Sequence, residues 1–181
     1  MDDLERLAEL IRTRNRTEGE ITAIIGRPAQ IGHLGEYIAA KIFSIRLHES
    51  AVHKGSDGEF TDGPLAGCSV NIKWYARCEG ILDINPAGIP DYYLVLAGPR
   101  ADVGSSRGRV RPWVIESVFL FDALKLTEAL RRRGVKLGIA TSVAQHLWEA
   151  AEIYPEAKNG EYSVTEEQRK LLSLFRGDNV L

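Results

Sequence analysis

The sequence predicts an α/β fold in which one mixed β-sheet is flanked by helices, with further helices added at both ends of the chain. Helical apolar spacing dominates the first forty-odd residues, β-branched and alternating runs follow from about residue 45, and helical spacing returns after residue 140. The predicted order is a helix, a meander of three strands, a further strand, a helix and a strand. That order is typical of an α/β layer arrangement.

The N-terminal segment is predicted to be helical, because apolar residues from Leu4 to Ile11 recur at helical spacing. Thr17-x-x-Glu20 has the form of a capping box that opens a separate short helix, and Gly26 supplies its end. The next helix runs over 28–43. A helix, a glycine turn and a helix also match a helix-turn-helix, but we favour a packing hairpin because the second helix is mostly apolar.

The rest of the chain alternates strands with a few helices. Strands are predicted over 45–47, 57–61, 69–75, 91–96, 113–121 and 135–140. Helices are predicted over 123–133, 144–153 and 165–175, and Gly134 ends the first of them. We interpret residues 1–181 as one domain with an N-terminal helical hairpin (1–32), an α/β core (33–140) and C-terminal helices (141–181).

Length and composition favour a globular protein of the cytoplasm. The 181 residues are 44% hydrophobic and 27% charged, and a chain of this length buries roughly 70% of its unfolded surface. The apolar runs are too short for a membrane span, and the first residues lack the pattern of a signal peptide. Cys68 and Cys78 are therefore expected to be free thiols, and no motif indicates an organic cofactor.

Residues 53–75 contain the polar groups that are best suited to a catalytic or binding site. Asp57 opens a short predicted strand, and a Gly-Pro turn leads to a strand that contains Asn71 and Lys73. Side chains on a strand alternate between faces, so Asn71 and Lys73 point the same way, and a hairpin sets Asp57 beside them. One carboxylate, one amide oxygen and one ammonium group predict a site for a hard divalent cation and a phosphate.

Three short motifs occur in a fixed order with the predicted strands. They are Gly35-Glu36-Tyr37-Ile38-Ala39, Gly55-Ser56-Asp57 and Asn71-Ile72-Lys73. In this order, over about residues 33–140, the chain resembles the PD-(D/E)xK nuclease superfamily, and specifically its small restriction-endonuclease-like domains. The resemblance implies a restriction-endonuclease-like mixed sheet flanked by helices.

The resemblance also implies metal-dependent hydrolysis of a phosphodiester, with Mg²⁺ or Mn²⁺ as the cofactor. Asp57 would be the anionic ligand, and the side-chain oxygen of Asn71 and the backbone carbonyl of Ile72 would be neutral ligands. Lys73 would orient the attacking water and offset the charge of the transition state. Glu36 would hold a second ion or a metal-bound water.

One departure from the family pattern leaves an alternative open. Asn71 stands where the family usually has a second acidic residue, so the site carries one negative charge less. A catalytically degenerate module that binds DNA or a protein partner is therefore the alternative. Each residue also has an ordinary structural explanation: Asp57 and Gly58 as a turn, Lys73 on an exposed edge, and Glu36 as a surface helix residue.

A local basic patch is required for DNA binding because the net charge of the chain is −2. The candidate phosphate contacts are Arg100, Arg107, Arg109, Arg111 and Lys54. An arginine-containing loop that is rich in Gly and Ser is also typical of a mobile, solvent-exposed loop with no binding role. The favoured function is a metal-dependent DNA endonuclease of restriction or defence type. Cutting both strands of a duplex favours a homodimer. A helix-turn-helix regulator over 17–43 is disfavoured, because that segment lacks a basic recognition face.

Overall fold

A computed structural model describes residues 2–49, 55–100 and 110–177 of the chain. The helices are α1 (Asp3–Ile25), α2 (Ile31–Ile42), α3 (Ala123–Arg132), α4 (Gln145–Ala151) and α5 (Glu166–Ser173). The strands are β1 (Ile45–Leu47), β2 (Gly58–Phe60), β3 (Ser69–Tyr75), β4 (Ile81–Leu82), β5 (Tyr92–Ala97), β6 (Ser117–Asp122), β7 (Thr141–Ser142) and β8 (Glu152–Tyr154). A short 3₁₀ turn covers Gly63–Leu65.

Six of the strands form one mixed sheet in the order β1-β2-β3-β5-β6-β8. The first three form the predicted antiparallel meander, β3 and β5 are parallel, and β6 and β8 complete the sheet in antiparallel pairing. The predicted mixed α/β architecture with flanking helices is therefore confirmed. Strands β4 and β7 form a separate two-stranded sheet.

Each face of the six-stranded sheet packs against its own helices. On one face, Val70, Ile72 and Trp74 of β3 belong to a core that also contains residues of α2 and Leu172 of α5. On the other face, strands β5 and β6 pack against α3 and α4. Strand β5 contributes to both cores, which is why Tyr93–Ala97 are all buried. β3 is an inner strand and pairs with β5 along nearly its whole length, but its pairing with β2 ends at Val70, before Lys73.

The N-terminal helix differs from its prediction. Asp3–Ile25 form one continuous helix, so the predicted start at Thr17 is wrong. Inside the helix the Thr17 hydroxyl donates to the carbonyl oxygen of Thr13 at 3.1 Å, which satisfies the side chain without a break. The predicted end is confirmed, because Gly26 adopts a left-handed conformation with φ of 71°. Helix α1 contacts α2 but none of its own residues is buried.

The C-terminal third contains the largest errors of strand prediction. Residues 135–140 form no strand of the described structure, and the strand that follows is the short β7. The predicted helix over 144–153 ends at Ala151, and Glu152–Tyr154 instead pair with β6 at the sheet edge. Glu152 is buried and ion-paired with Lys158 at 3.1 Å, so a charged residue occupies a strand that apolar periodicity could not indicate.

Among the described residues, no helix has the length and apolar character needed to cross a membrane. The longest helix, α1, carries charged side chains from Asp3 to Glu20.

Candidate active site

Strands β2 and β3 separate at the centre of the sheet and leave a fork between them. Their pairing extends only to Gly58 opposite Val70, while β3 continues beside β5 as far as Tyr75. The N–H and C=O of one strand residue point to the same edge, so both backbone groups of Ile72 face this fork. Backbone groups in such a position need partners other than a strand ladder.

Asp57 supplies the partner for the Ile72 amide. Its Oδ2 accepts a hydrogen bond from the N–H of Ile72 at 2.6 Å. The Asp57 backbone also joins the strands on either side, because its N–H donates to Val70 at 2.8 Å and its carbonyl accepts from His48 at 2.9 Å. The carboxylate is therefore held against the central residue of the Asn71-Ile72-Lys73 triplet.

Burial raises the pKa of the Asp57 carboxyl above its ordinary value of 3.8. The hydrogen bond from Ile72 opposes this shift, the negative charge of Glu36 adds to it, and the charges of Lys73 and His48 oppose it. Glu36, Lys73 and His48 therefore all interact electrostatically with the Asp57 carboxylate. The fork thus gathers two carboxylates, one ammonium group and one imidazole.

Asn71 lies opposite Asp57 if the β2–β3 register is extended by one residue beyond Gly58 and Val70. Its side chain is buried, and its Oδ1 has no hydrogen-bond partner in the part of the chain that the structure describes. Leaving a buried carbonyl oxygen unsatisfied costs about 1–3 kcal/mol. An unpartnered oxygen at this position is therefore a strong acceptor for a donor or a cation.

Glu36 reaches the group from helix α2. The preceding residue, Gly35, lies so close to β3 that an added Cβ would be 2.9 Å from the Cβ of Trp74. Glycine therefore lets the helix approach the strand on the face that carries Trp74, and from there the Glu36 carboxylate interacts electrostatically with Asp57. The Glu36 carboxylate forms an ion pair with Arg27, so it is not an isolated surface charge.

His48 and Ser56 also lie beside Asp57, although neither was predicted as a site residue. His48 follows β1 and Asp57 precedes β2, so the pairing of Leu47 with Gly58 sets His48 opposite Asp57. The His48 Nε2 lies 3.2 Å from the Ser56 hydroxyl. His48 directly follows β1 and Asp57 directly precedes β2. This equal spacing indicates that the two residues are neighbours only when the pairing register of β1 and β2 is known.

Two glycines keep the backbone compact beside Asp57. Gly55 has φ of 88°, and an added Cβ would lie 1.9 Å from the carbonyl oxygen of Gly88 in the loop before β5. Gly58 adopts strand geometry, and an added Cβ would lie 2.5 Å from the carbonyl oxygen of Arg46. Gly58 therefore serves close strand packing, while Asp62 has the turn role, accepting from the N–H of Gly63 at 2.7 Å.

Of the predicted phosphate-binding residues, the structure describes Arg100 and Arg111, and each pairs with an acidic residue outside the fork. Arg100 lies 3.9 Å from the Glu152 carboxylate, and Arg111 lies 3.3 Å from the Glu79 carboxylate. Both guanidinium groups thus have acidic partners of their own. Lys54, Arg107 and Arg109 lie outside the described residues.

The oxygen atoms around Asp57 fit the preferences of a hard divalent cation. The candidate ligands are the second carboxylate oxygen of Asp57, the unpartnered Oδ1 of Asn71 and the carbonyl of Ile72, with the Glu36 carboxylate, which is ion-paired with Arg27, as a further candidate. Over residues 2–49, 55–100 and 110–177, no group of three or more His, Cys, Asp or Glu side chains is arranged to hold a metal ion. Binding here would therefore depend on the amide, the backbone carbonyl and water in addition to carboxylates.

Comparison with known proteins does not assign this site. No family model and no curated protein matches the chain. The assignment therefore depends on the chemistry of the fork alone.

The Asn71→Asp substitution is expected to tighten Mn²⁺ binding by about tenfold or more, because it replaces a neutral oxygen ligand with a charged one. Without metal, a third carboxylate near Asp57 and Glu36 should lower the unfolding temperature. Calorimetric titration and thermal melts measure both effects. The matched control is Asn85→Asp at an exposed turn residue. Equal or weaker Mn²⁺ binding by Asn71→Asp would show that this side chain is not a ligand.

Proposed function

We propose that this protein is a metal-dependent DNA endonuclease of restriction or defence type, with the restriction-endonuclease-like fold, acting in the cytoplasm. The observation that carries the proposal is the hydrogen bond from the Ile72 N–H to the Asp57 carboxylate at 2.6 Å. It holds the Asp57 carboxylate against the Asn-Ile-Lys triplet, next to a buried oxygen of Asn71 that has no partner among the described residues.

Each residue has a distinct role in this proposal. Asp57 and Asn71 would hold Mg²⁺ or Mn²⁺ through their side-chain oxygens, and Ile72 would add its backbone carbonyl. Glu36 would hold a metal-bound water or a second ion, and its ion pair with Arg27 keeps the side chain oriented. The ion supplies charge neutralisation at the phosphate and lowers the pKa of a bound water when it is present.

Lys73 supplies a positive charge from the protein itself, in addition to that of the metal ion. Its ammonium group interacts favourably with the Asp57 carboxylate and lies on the same strand face as Asn71. In the proposed reaction a water oxygen forms a bond to phosphorus, the bond from phosphorus to the leaving ester oxygen breaks, and that oxygen takes up a proton. Lys73 orients the attacking water and offsets the charge that develops on the phosphoryl oxygens.

The decisive test is cleavage of plasmid and linear duplex DNA with Mg²⁺, with Mn²⁺ and with EDTA, by the wild type and by Lys73→Met. We expect metal-dependent cleavage by the wild type and a loss of about 10²–10³-fold in rate for the variant. The matched control is Lys136→Met, an exposed lysine outside the fork, which should cut normally. Cleavage that survives in Lys73→Met, or that continues in EDTA, would contradict the proposed mechanism.

A catalytically degenerate module that binds DNA or a protein partner is the second candidate. The neutral Asn71, the Arg27–Glu36 ion pair and the engagement of one Asp57 oxygen by Ile72 all favour it, because each reduces the negative charge available to an ion. Retention of duplex DNA at low salt without cleavage in either metal would support this candidate. It would also leave Lys73→Met indistinguishable from the wild type.

A further inference from the structure

Helix α1 carries a stripe of mostly apolar side chains whose spacing is symmetric about its centre. Of the eleven large apolar side chains exposed in the described residues, five lie on this helix, and three of these, Leu7, Leu10 and Ile24, belong to the stripe. Its positions are Leu7, Leu10, Arg14, Thr17, Ile21 and Ile24, of which Ile21 is half-buried within its own chain. Their spacing of three and four residues is that of a two-helix packing seam. In this article these six positions are called the α1 stripe.

We propose that the α1 stripe is a homodimer interface in which α1 packs antiparallel against α1 of a second copy. Two-fold symmetry requires that a contact surface be complementary to itself. The six positions are symmetric about the centre of the stripe, so an antiparallel pair sets Leu7 opposite Ile24 of the second copy. The same register sets Leu10 opposite Ile21 of the second copy, and the two-fold symmetry repeats each of these pairs once.

The exposure of these side chains is consistent with a missing partner. Leu7, Leu10 and Ile24 are 52%, 56% and 68% exposed, although apolar side chains of this size gain about 1.5–3 kcal/mol each from full burial. The seam from Leu7 to Ile24 extends over about 26 Å, at 1.5 Å per residue.

Charge decides between the antiparallel and the parallel pair. A parallel pair would set Arg14 directly beside Arg14 of the second copy, which is unfavourable in a partly dry seam. The antiparallel register sets Arg14 opposite Thr17 and next to Glu18 of the second copy. Within one chain Arg14 already pairs with Glu18 at 2.8 Å, so the dimer centre becomes an alternation of opposite charges.

The inference is independent of the proposed hydrolysis, and a charge-exchange experiment tests it. We expect the wild type to have twice the chain mass of 20.1 kDa in sedimentation equilibrium. Leu7→Glu and Ile24→Lys should each weaken the dimer about 10²-fold, since symmetry repeats the substitution at both ends at about tenfold each. The double variant Leu7→Glu/Ile24→Lys should dimerise again, because the new charges face each other across the two copies.

Leu124→Glu is the matched control, since Leu124 is 64% exposed on another helix. It should leave the mass unchanged. A monomeric wild type at high micromolar concentration, a dimer that persists in Leu7→Glu, or a double variant that stays monomeric would each overturn the proposal. Retention of a monomeric wild type on anionic phospholipid vesicles would then assign the stripe to a lipid surface.

Discussion

Replacing Asp57 with asparagine is expected to abolish metal-dependent cleavage, by about 10²–10³-fold or more, while leaving the folded protein at least as stable as before. Activity falls because the substitution removes the anionic ligand of the fork. Stability is retained because the asparagine oxygen can still accept the hydrogen bond from Ile72, which the carboxylate accepts at 2.6 Å. Activity and stability should therefore move in different directions.

The pH dependence follows from the raised pKa of Asp57. A carboxyl that binds its proton more tightly in the folded state than in the unfolded state contributes stability below its unfolded pKa. That contribution is lost as the pH rises from the ordinary value of 3.8 through the folded-state pKa. Thermal melts should therefore show the wild type losing stability relative to Asp57→Asn as the pH rises through this window.

Asp62→Asn is the matched control for both measurements. Asp62 is an exposed aspartate that caps a turn, where its carboxylate accepts from the N–H of Gly63 at 2.7 Å. Its variant should cut DNA like the wild type. Unchanged cleavage by Asp57→Asn, with its folding verified, would remove Asp57 from the mechanism.

Replacing Gly58 with alanine is expected to lower the free energy of unfolding by about 1–3 kcal/mol. The added methyl group would lie 2.5 Å from the Arg46 carbonyl oxygen and 2.9 Å from a methyl carbon of Ile45, so β1 and β2 must move apart. For a chain of this size each kcal/mol corresponds to a fall of about 2–4 °C in the unfolding temperature. Circular dichroism melts measure this change.

The same substitution should weaken Mn²⁺ binding, since Asp57 directly precedes Gly58 and moves with it. Gly138→Ala is the control, because an added Cβ at Gly138 meets no atom within 4 Å. We expect that variant to melt with the wild type. An unchanged melting temperature for Gly58→Ala would mean that β1 and β2 accommodate a side chain here.

Much of the sheet could be predicted because its strands carry strong local signals. Ser69–Tyr75 alternate apolar and polar residues, and the apolar set faces one core while Asn71 and Lys73 face the other way. Helix α3 was similarly clear from its apolar spacing and from Gly134, which adopts φ of 70° after the last turn.

The missed elements depend on contacts between distant parts of the chain. Strand β8 is short and follows α4 without a break, and its identity comes from pairing with β6 rather than from its own residues. At the fork, the role of His48 depends on the register of β1 and β2. The connection between these strands is too long for turn chemistry to fix that register.

The two faces of strand β3 have different roles, and successive residues alternate between these faces. Val70, Ile72 and Trp74 complete the core under α2, while Asn71 and Lys73 supply the polar groups of the fork. Substitutions on one face therefore leave the other face in place. A one-residue insertion or deletion inside Ser69–Tyr75 would instead exchange the two sets, turning a lysine into the core and a tryptophan toward the fork. Related sequences are therefore expected to differ by substitutions in this segment while keeping its length constant.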